Sequence, residues 1–324
     1  THDSSDLKGN PQILLRDNIH HSQRTSSSAT ARHLTLPDRR TLDYSDDGPK
    51  DGFPLLWIHG TPGSYIALPA LKTACQRKNI RLVTMSRAGY GGSTRKPGRS
   101  VVDFASDIQA LNEHLGITKC VVGGWSGGGP HAIACAARLR GCVAVLSVSA
   151  VAPYGVADLD FLAGQGQDNI DEFNAALQGE TTLQAFVAGQ RPEMLKADAA
   201  GIVEALASLL PPVDREAVLN SDIGAFMVDS NQEALAHSAD GWVDDDLAFV
   251  KPWGFGLEEV KVPVILYQGS EDLMVPFAHG EWLARHLPEK FLRKHLLQGE
   301  GHVSIFLGKV EEMLGELVEV SGVR

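Results

Sequence analysis

The chain has 324 residues, enough for one large α/β domain with an insertion or for two smaller domains, and either arrangement buries a full core. Its 29 Lys and Arg stand against 40 Asp and Glu, a formal net charge of -11, and no Lys/Arg-rich run forms a basic stripe, so nucleic acid is not expected as a partner. No apolar run approaches the roughly 20 residues needed to span a bilayer, and the first residues carry no secretory signal pattern. The four cysteines, Cys75, Cys120, Cys135 and Cys142, form neither a C-x-x-C pair nor a disulfide-dense framework, which points to a reducing, cytoplasmic setting.

Residues 1–30 are polar, with Ser26, Ser27 and Ser28 in a row and no period that buries a face, and they read as a mobile tail. Two short strand-like stretches, His33 to Leu36 and Arg40 to Tyr44, flank Pro37-Asp38 and predict an opening hairpin. Continuous apolar runs follow at Pro54 to Ile58, Arg81 to Met85, Cys120 to Gly123, Val143 to Val148 and Val264 to Tyr267. Runs of this length without polar alternation suit strands covered on both faces, and the helical stretches between them, such as Val101 to Leu115 and Pro130 to Leu139, predict a mostly parallel, doubly wound α/β sheet of eight strands. After Ala150 about 100 residues carry helical periodicity and no convincing strand until Val262, with candidate helices near Asn169 to Leu177, Thr182 to Ala188, Ala199 to Leu209 and Asn231 to Ser238. The reading is a core over residues 31–152 and 256–324 with a helical cap over 153–255. Strand and helix then resume through Gly280 to Leu287, Phe291 to Leu297 and a closing helix from about Val303 to Val318.

The strongest local signal is Gly124-Trp125-Ser126-Gly127-Gly128, between an apolar strand and a helix-compatible stretch. A nucleophile on a sharp strand-to-helix turn needs small neighbours, because the flanking chain passes close by. A serine hydroxyl is a weak nucleophile near neutral pH, so a base and a group to orient it should lie downstream. Asp272, in Gly269-Ser270-Glu271-Asp272, and His302, in Gly299-Glu300-Gly301-His302, each follow a predicted strand and so fall at the carboxyl edge of the sheet, where open α/β sheets place their sites. Ser126 is therefore the candidate nucleophile, His302 its base and Asp272 the orienting acid, with Glu271 as the fallback acid. His59-Gly60-Thr61-Pro62-Gly63, after the strand Pro54 to Ile58, supplies the second half of an oxyanion hole, so the amides of Thr61 and Gly127 are the candidate donors. His59 reads as a brace of that loop. His131 reads as packing or site wall, and His279, His286 and His295 as surface positions. No metal or organic cofactor is implied, since no His/Cys/Asp cluster has ligand spacing, and the run Asp244-Asp245-Asp246 reads as a solvated cap loop or helix start. Trp125, Trp253 and Phe255 are the candidate pocket lining, with Phe161, Leu162, Phe173, Phe186, Phe226 and Met227 as a wider pool.

On these residues the chain, from about Arg32 to Val318, resembles the capped α/β-hydrolase superfamily. It carries an HGTPG oxyanion loop (His59 to Gly63), a GWSGG elbow (Gly124 to Gly128), a GSED acid loop (Gly269 to Asp272) and a terminal GEGH (Gly299 to His302). Ser86 to Ser93, SRAGYGGS, is similar to the D-x-x-G-x-G-x-S turn of that superfamily, with Ser86 where an acid is common. Among its subgroups the resemblance is to esterase-like and proline-iminopeptidase-like members. The epoxide hydrolases and haloalkane dehalogenases of this fold use an aspartate where Ser126 stands, which disfavours both chemistries. Proline iminopeptidases typically show Trp after the serine, whereas Trp125 precedes it here. The resemblance thus implies hydrolysis of an ester or lactone of a small to medium apolar molecule through an acyl-enzyme on Ser126. A cofactor-free lyase, an acyltransferase, a proline-iminopeptidase-like aminopeptidase and a low-turnover small-molecule receptor are the alternatives on the same pocket.

Overall fold

The apolar runs become neighbouring strands of one sheet in the computed structural model, which describes residues 31–322. Its strands are β1 (Arg32–Thr35), β2 (Thr41–Asp47), β3 (Phe53–Ile58), β4 (Ile80–Met85), β5 (Cys120–Trp125), β6 (Cys142–Val148), β7 (Val264–Gly269) and β8 (Leu292–Leu297). They stand in the order β1-β2-β4-β3-β5-β6-β7-β8, with β2 antiparallel to both β1 and β4 and every later pairing parallel. The absence of polar alternation in the central strands has a direct cause. Leu56, Val122, Val145 and Leu266 point into one apolar cluster, and their neighbours Leu55, Val121, Leu146 and Ile265 into the other.

Helices cover both faces. Helices α1 (Pro69–Arg77) and, at the end of the chain, Val310–Ser321 pack together on one side, where Leu71, Cys75, Met313, Leu314 and Leu317 are buried. Helices α2 (Phe104–Leu115) and α3 (Gly128–Arg138) cover the other side. Between β6 and β7 lie α4 (Gln167–Gln178), α5 (Glu180–Lys196), α6 (Ala199–Ala205), α7 (Pro212–Asn220), α8 (Ile223–Ala234) and α9 (Asp240–Phe249). Helices α10 (Phe277–His286) and α11 (Val310–Ser321) complete the fold. Among the described residues no helix is long and apolar enough to cross a membrane. The predicted tail, residues 1–30, lies outside the described residues.

Element boundaries differ from the sequence expectation where local signals compete. The pattern near Asn231 to Ser238 belongs to α8, which begins at Ile223 and stops at Ala234, and the helices α1, α7 and α9 are additional. Two of these, α1 and α7, start on a proline, which suits a first helical turn but reads as a breaker when the sequence is scanned alone. The closing helix begins only at Val310, because residues 304–306 form a separate 3-10 turn.

The connection from β5 to α3 is crowded enough to dictate its glycines. A Cβ on Gly124 would fall inside contact distance of the Gly128 carbonyl, and one on Gly128 would meet the carbonyls of Ile58 and His59. The helix thus starts directly against the end of β3. Replacing Gly128 by Ala is expected to destabilise the fold by about 1–3 kcal/mol, the cost of forcing a methyl against backbone. A urea midpoint equal to that of the unmodified protein contradicts this account.

Candidate active site

Ser126 stands at that turn with φ of +56°, a left-handed conformation that costs a residue with a Cβ about 1–2 kcal/mol. The neighbours hold it there: its N–H donates to the Val148 carbonyl at 2.8 Å, and its own carbonyl accepts from the Gly129 N–H at 2.9 Å. The turn lifts Ser126 out of the sheet and into a cavity of about 130 Å³ at the carboxyl edge. That cavity is shared by Ser126, Thr61, Gly127, Trp125 and His302 on one side and by residues of α4, α5, α8 and α9 on the other.

His302 follows β8, and Asp272 follows β7. The His302 Nδ1 lies 2.7 Å from Asp272 Oδ2, with both side chains buried. Asp272 is itself oriented, since its Oδ1 accepts from the N–H groups of Met274 at 2.9 Å and Val275 at 2.8 Å, and Gln268 Nε2 donates to Oδ2 at 3.2 Å. An acceptor opposite Nδ1 selects the tautomer protonated there and leaves Nε2 as the basic nitrogen. Burial opposes a charged imidazole at His302, but the charge of Asp272, its hydrogen bond and the charge of Asp214 outweigh burial and lift the group above the ordinary value of 6.5. Glu271 does not join this pair: it is exposed, and its carboxylate accepts from Ser270 Oγ at 3.1 Å.

Thr61 and Gly127 are adjacent across the cavity floor, so close that a Cβ on Gly127 would overlap the Thr61 side chain. Among the described residues neither backbone N–H has an intramolecular acceptor. The Trp125 indole lines the cavity, its ring 5.4 Å from that of His302, and its Nε1 donates to the His302 carbonyl at 3.2 Å. Phe173, Phe226 and Met227 also line it. Trp253 and Phe255 do not: they stack on each other at 5.9 Å in the core beside the 3-10 turn of residues 101–103, and the Trp253 carbonyl accepts from the Val102 N–H. Phe161 packs on His279 in the same core cluster, and Phe186 lies in a third cluster within the insertion. His279 is buried rather than on the surface; it accepts from the Ala152 N–H and donates to the Phe161 carbonyl, and burial lowers it to about 4.

The acidic run is not solvated. Asp244, Asp245 and Asp246 lie on α9 and are all buried. Asp245 forms an ion pair with Arg87, both side chains fully shielded from solvent, and Arg99 approaches its other oxygen at 2.7 Å. Burial alone would raise the Asp245 carboxyl, yet the two guanidinium groups hold it well below the usual carboxylate range. Arg87 also donates to the carbonyls of His59 and Gly60, and Thr61 Oγ1 donates to Asp245 Oδ2 at 2.7 Å. His59 completes the brace: its Nε2 accepts from the Arg87 N–H at 2.9 Å, so its Nδ1–H donates to the Gly60 carbonyl at 2.6 Å. The loop that carries Thr61 is thus held by a side chain of the insertion. The sequence clue was available, three aspartates inside the apolar frame of Trp242-Val243 and Leu247-Ala248-Phe249, but nothing in it names Arg87 as the partner.

Asp246 and Glu172 face the cavity together. Asp244 has Arg95 and Asp245 has Arg87, whereas no Lys or Arg is among the residues lining the cavity beside Asp246. Burial raises both Glu172 and Asp246, and the proximity of Glu172 raises Asp246 further. Trp242 Nε1 donates to Glu172 at 2.6 Å. Among the described residues no cluster of His, Cys, Asp and Glu has the arrangement to hold a metal ion.

The sequence profile of the alpha/beta hydrolase family matches residues 55–320, and the chain belongs to that family. It is similar to a non-heme chloroperoxidase of Streptomyces lividans, 27% identical over 76% of this chain and 83% of the relative. It is also similar to a bifunctional esterase/perhydrolase of Acinetobacter calcoaceticus, 26% identical over 76% of this chain and 83% of the relative. Among solved structures, a hydrolase from Pseudomonas aeruginosa superimposes with a TM-score of 0.66 at 18% identity, over 91% of this chain and all of that one, 100%.

Removing one partner of a buried ion pair leaves the other charge stranded. Asp245→Asn and Arg87→Met are each expected to cost about 3–5 kcal/mol, and the double variant less than their sum. Additive losses in a thermal or urea double-mutant cycle contradict a direct Arg87–Asp245 interaction.

Proposed function

We propose that the protein is a serine-dependent carboxylic ester hydrolase acting on a small to medium apolar ester or lactone. The observation that carries the reading is the buried 2.7 Å contact of His302 with Asp272, opening on the same cavity as a serine held at φ +56° and two amides whose N–H groups have no acceptor among the described residues. In this reading His302 Nε2 takes the Ser126 proton as Oγ attacks the carbonyl, and Asp272 keeps the imidazole oriented and stabilises the imidazolium. The N–H groups of Thr61 and Gly127 receive the developing oxyanion, aided by the partial positive charge at the start of α3. The imidazolium then protonates the departing alkoxide, and water, deprotonated by the same nitrogen, releases the acid. The helical insertion, residues 153–255, acts as a cap whose Phe173, Phe226, Met227 and Phe249 favour an apolar acyl or alkyl group.

The Ser126→Ala variant is expected to lower kcat on p-nitrophenyl butyrate by four or more orders of magnitude, roughly, and Asp272→Asn by about 10⁴-fold. Retained turnover in Ser126→Ala sinks the proposal. The pH dependence follows from the base. Only neutral His302 accepts the proton, so kcat/KM is lost as pH falls through its raised pKa, and the acid limb is expected above 6.5. In Asp272→Asn that limb should move to lower pH; a limb that stays in place contradicts the pairing.

The carboxyl pair of Glu172 and Asp246 favours a second reading, cleavage of an ester or amide whose acyl part carries a free amine, as an aminopeptidase would require. A cation there would meet two carboxyl groups, with no Lys or Arg among the residues lining the cavity. Matched esters with and without an α-amine separate the two readings. Under the second, the amine-bearing substrate has the lower KM and loses that advantage in Glu172→Gln.

A further inference from the structure

The loop that presents His302 is fastened from a direction that the triad does not explain. Helix α7 of the insertion begins Pro212-Val213-Asp214, and the Asp214 side chain is fully buried. Its Oδ2 accepts from the His302 N–H at 2.8 Å, and its Oδ1 accepts from the N–H groups of Val303 at 3.0 Å and Ser304 at 2.8 Å. Three successive backbone donors, starting with that of the base itself, therefore converge on one carboxylate supplied by another part of the chain. Gly301 makes the approach possible, since a Cβ there would overlap the Asp214 carboxyl group.

We infer that Asp214 is a positioning residue for His302: it sets the backbone from which the imidazole projects and adds a second negative charge behind it, so that docking of α7 is a condition for a working base. This rests on the reading of His302 as the base. The groups around the imidazole support it. Asp272 faces it from the loop after β7 and Asp214 from α7, while Trp125 from β5 lies tilted beside it and Phe226 from α8 lies beyond Trp125. Glu300, on the same loop, is engaged by Lys309 and by Ser304 Oγ. Burial raises the Asp214 carboxyl, and the three N–H donors and the charge of His302 oppose that rise. Both carboxylates act in the same sense on His302, which favours the imidazolium that forms during the reaction. An amide cannot replace Asp214, because it offers one acceptor oxygen and would turn an NH₂ toward at least one of the three donors.

The test compares Asp214→Asn with Asp198→Ala, which removes an exposed N-cap on α6 that accepts from the Gly201 N–H at 2.8 Å and has only a structural part. Asp214→Asn is expected to lower kcat by about ten- to a hundredfold with little change in KM, the signature of a misplaced catalytic group. It is also expected to move the acid limb of kcat/KM to lower pH, whereas Asp198→Ala should leave both at the values of the unmodified protein. In parallel, the His302 imidazole is titrated by NMR in Ser126→Ala protein with and without Asp214→Asn; its pKa should fall on loss of the Asp214 charge. This measurement needs no turnover, so it separates failure of the positioning role from failure of the esterase reading. If Asp214→Asn does not fold, Gly301→Ala, which keeps the carboxylate and displaces it, is expected to give the same loss of kcat. A lowered melting temperature with unchanged kcat, acid limb and His302 pKa overturns the inference.

Discussion

A guanidinium buried as completely as that of Arg87 must be neutralised, and the chain does so with a carboxylate from a helix about 158 residues further on. From this one requirement several features of the site follow. Asp245 can reach Arg87 only if α9 lies against the loops at the ends of β3 and β4. Once there it also engages Thr61 Oγ1 and Tyr90 Oη, and Arg87 spends its remaining donors on the carbonyls of His59 and Gly60. The loop carrying the Thr61 amide is thereby pinned on one side by the sheet and on the other by the insertion. Such a pair contributes little net stability relative to an apolar replacement, but it specifies one docking geometry, because any shift of α9 leaves two charges unpaired.

The insertion therefore reaches the site at two points with the same kind of group. Asp245 bears on the loop after β3, and Asp214 bears on the loop after β8. The sheet supplies Ser126, Asp272 and His302, and carboxylates from the insertion fasten the loops on either side of them. The remaining aspartates of α9 show how strongly position decides chemistry. Three consecutive residues on a helix point in three directions about 100° apart. Asp244 turns to Arg95 at the edge, Asp245 to Arg87 in the interior, and Asp246 to Glu172 at the cavity wall. The same side chain has its pKa pulled down by two guanidinium groups in one place and pushed up by burial and a second carboxyl group in the next.

The family membership and the arrangement of the site bear on different questions. A profile match over residues 55–320 places the chain in the alpha/beta hydrolase family, whose sheet sets where the loops emerge. What those loops act on is decided by the cavity they share with the insertion, where apolar side chains and a carboxyl pair meet.

The elements legible in the sequence were those specified by contacts close along the chain or by the strand-and-turn pattern. The apolar runs mark strands because both faces of each are covered, and Gly124 and Gly128 mark the turn because no side chain fits between β5, α3 and the end of β3, with Gly127 confined by Thr61 on the neighbouring loop. The order Ser126, Asp272, His302 was readable for a similar reason, since each follows a strand and strands of a parallel sheet end at one edge. Where the insertion folds back was not readable. Its helices pack through long-range partners, so Asp245 finds Arg87 and Asp214 finds the His302 loop only in three dimensions, while Trp253 and Phe255, aromatic and near the exit from the insertion, turn into the core instead of the cavity. Sequence alone determined the framework and the residues that strand ends present. Tertiary structure decided which charges are buried together, because burial turns a run of acids from a solvated face into a set of paired groups.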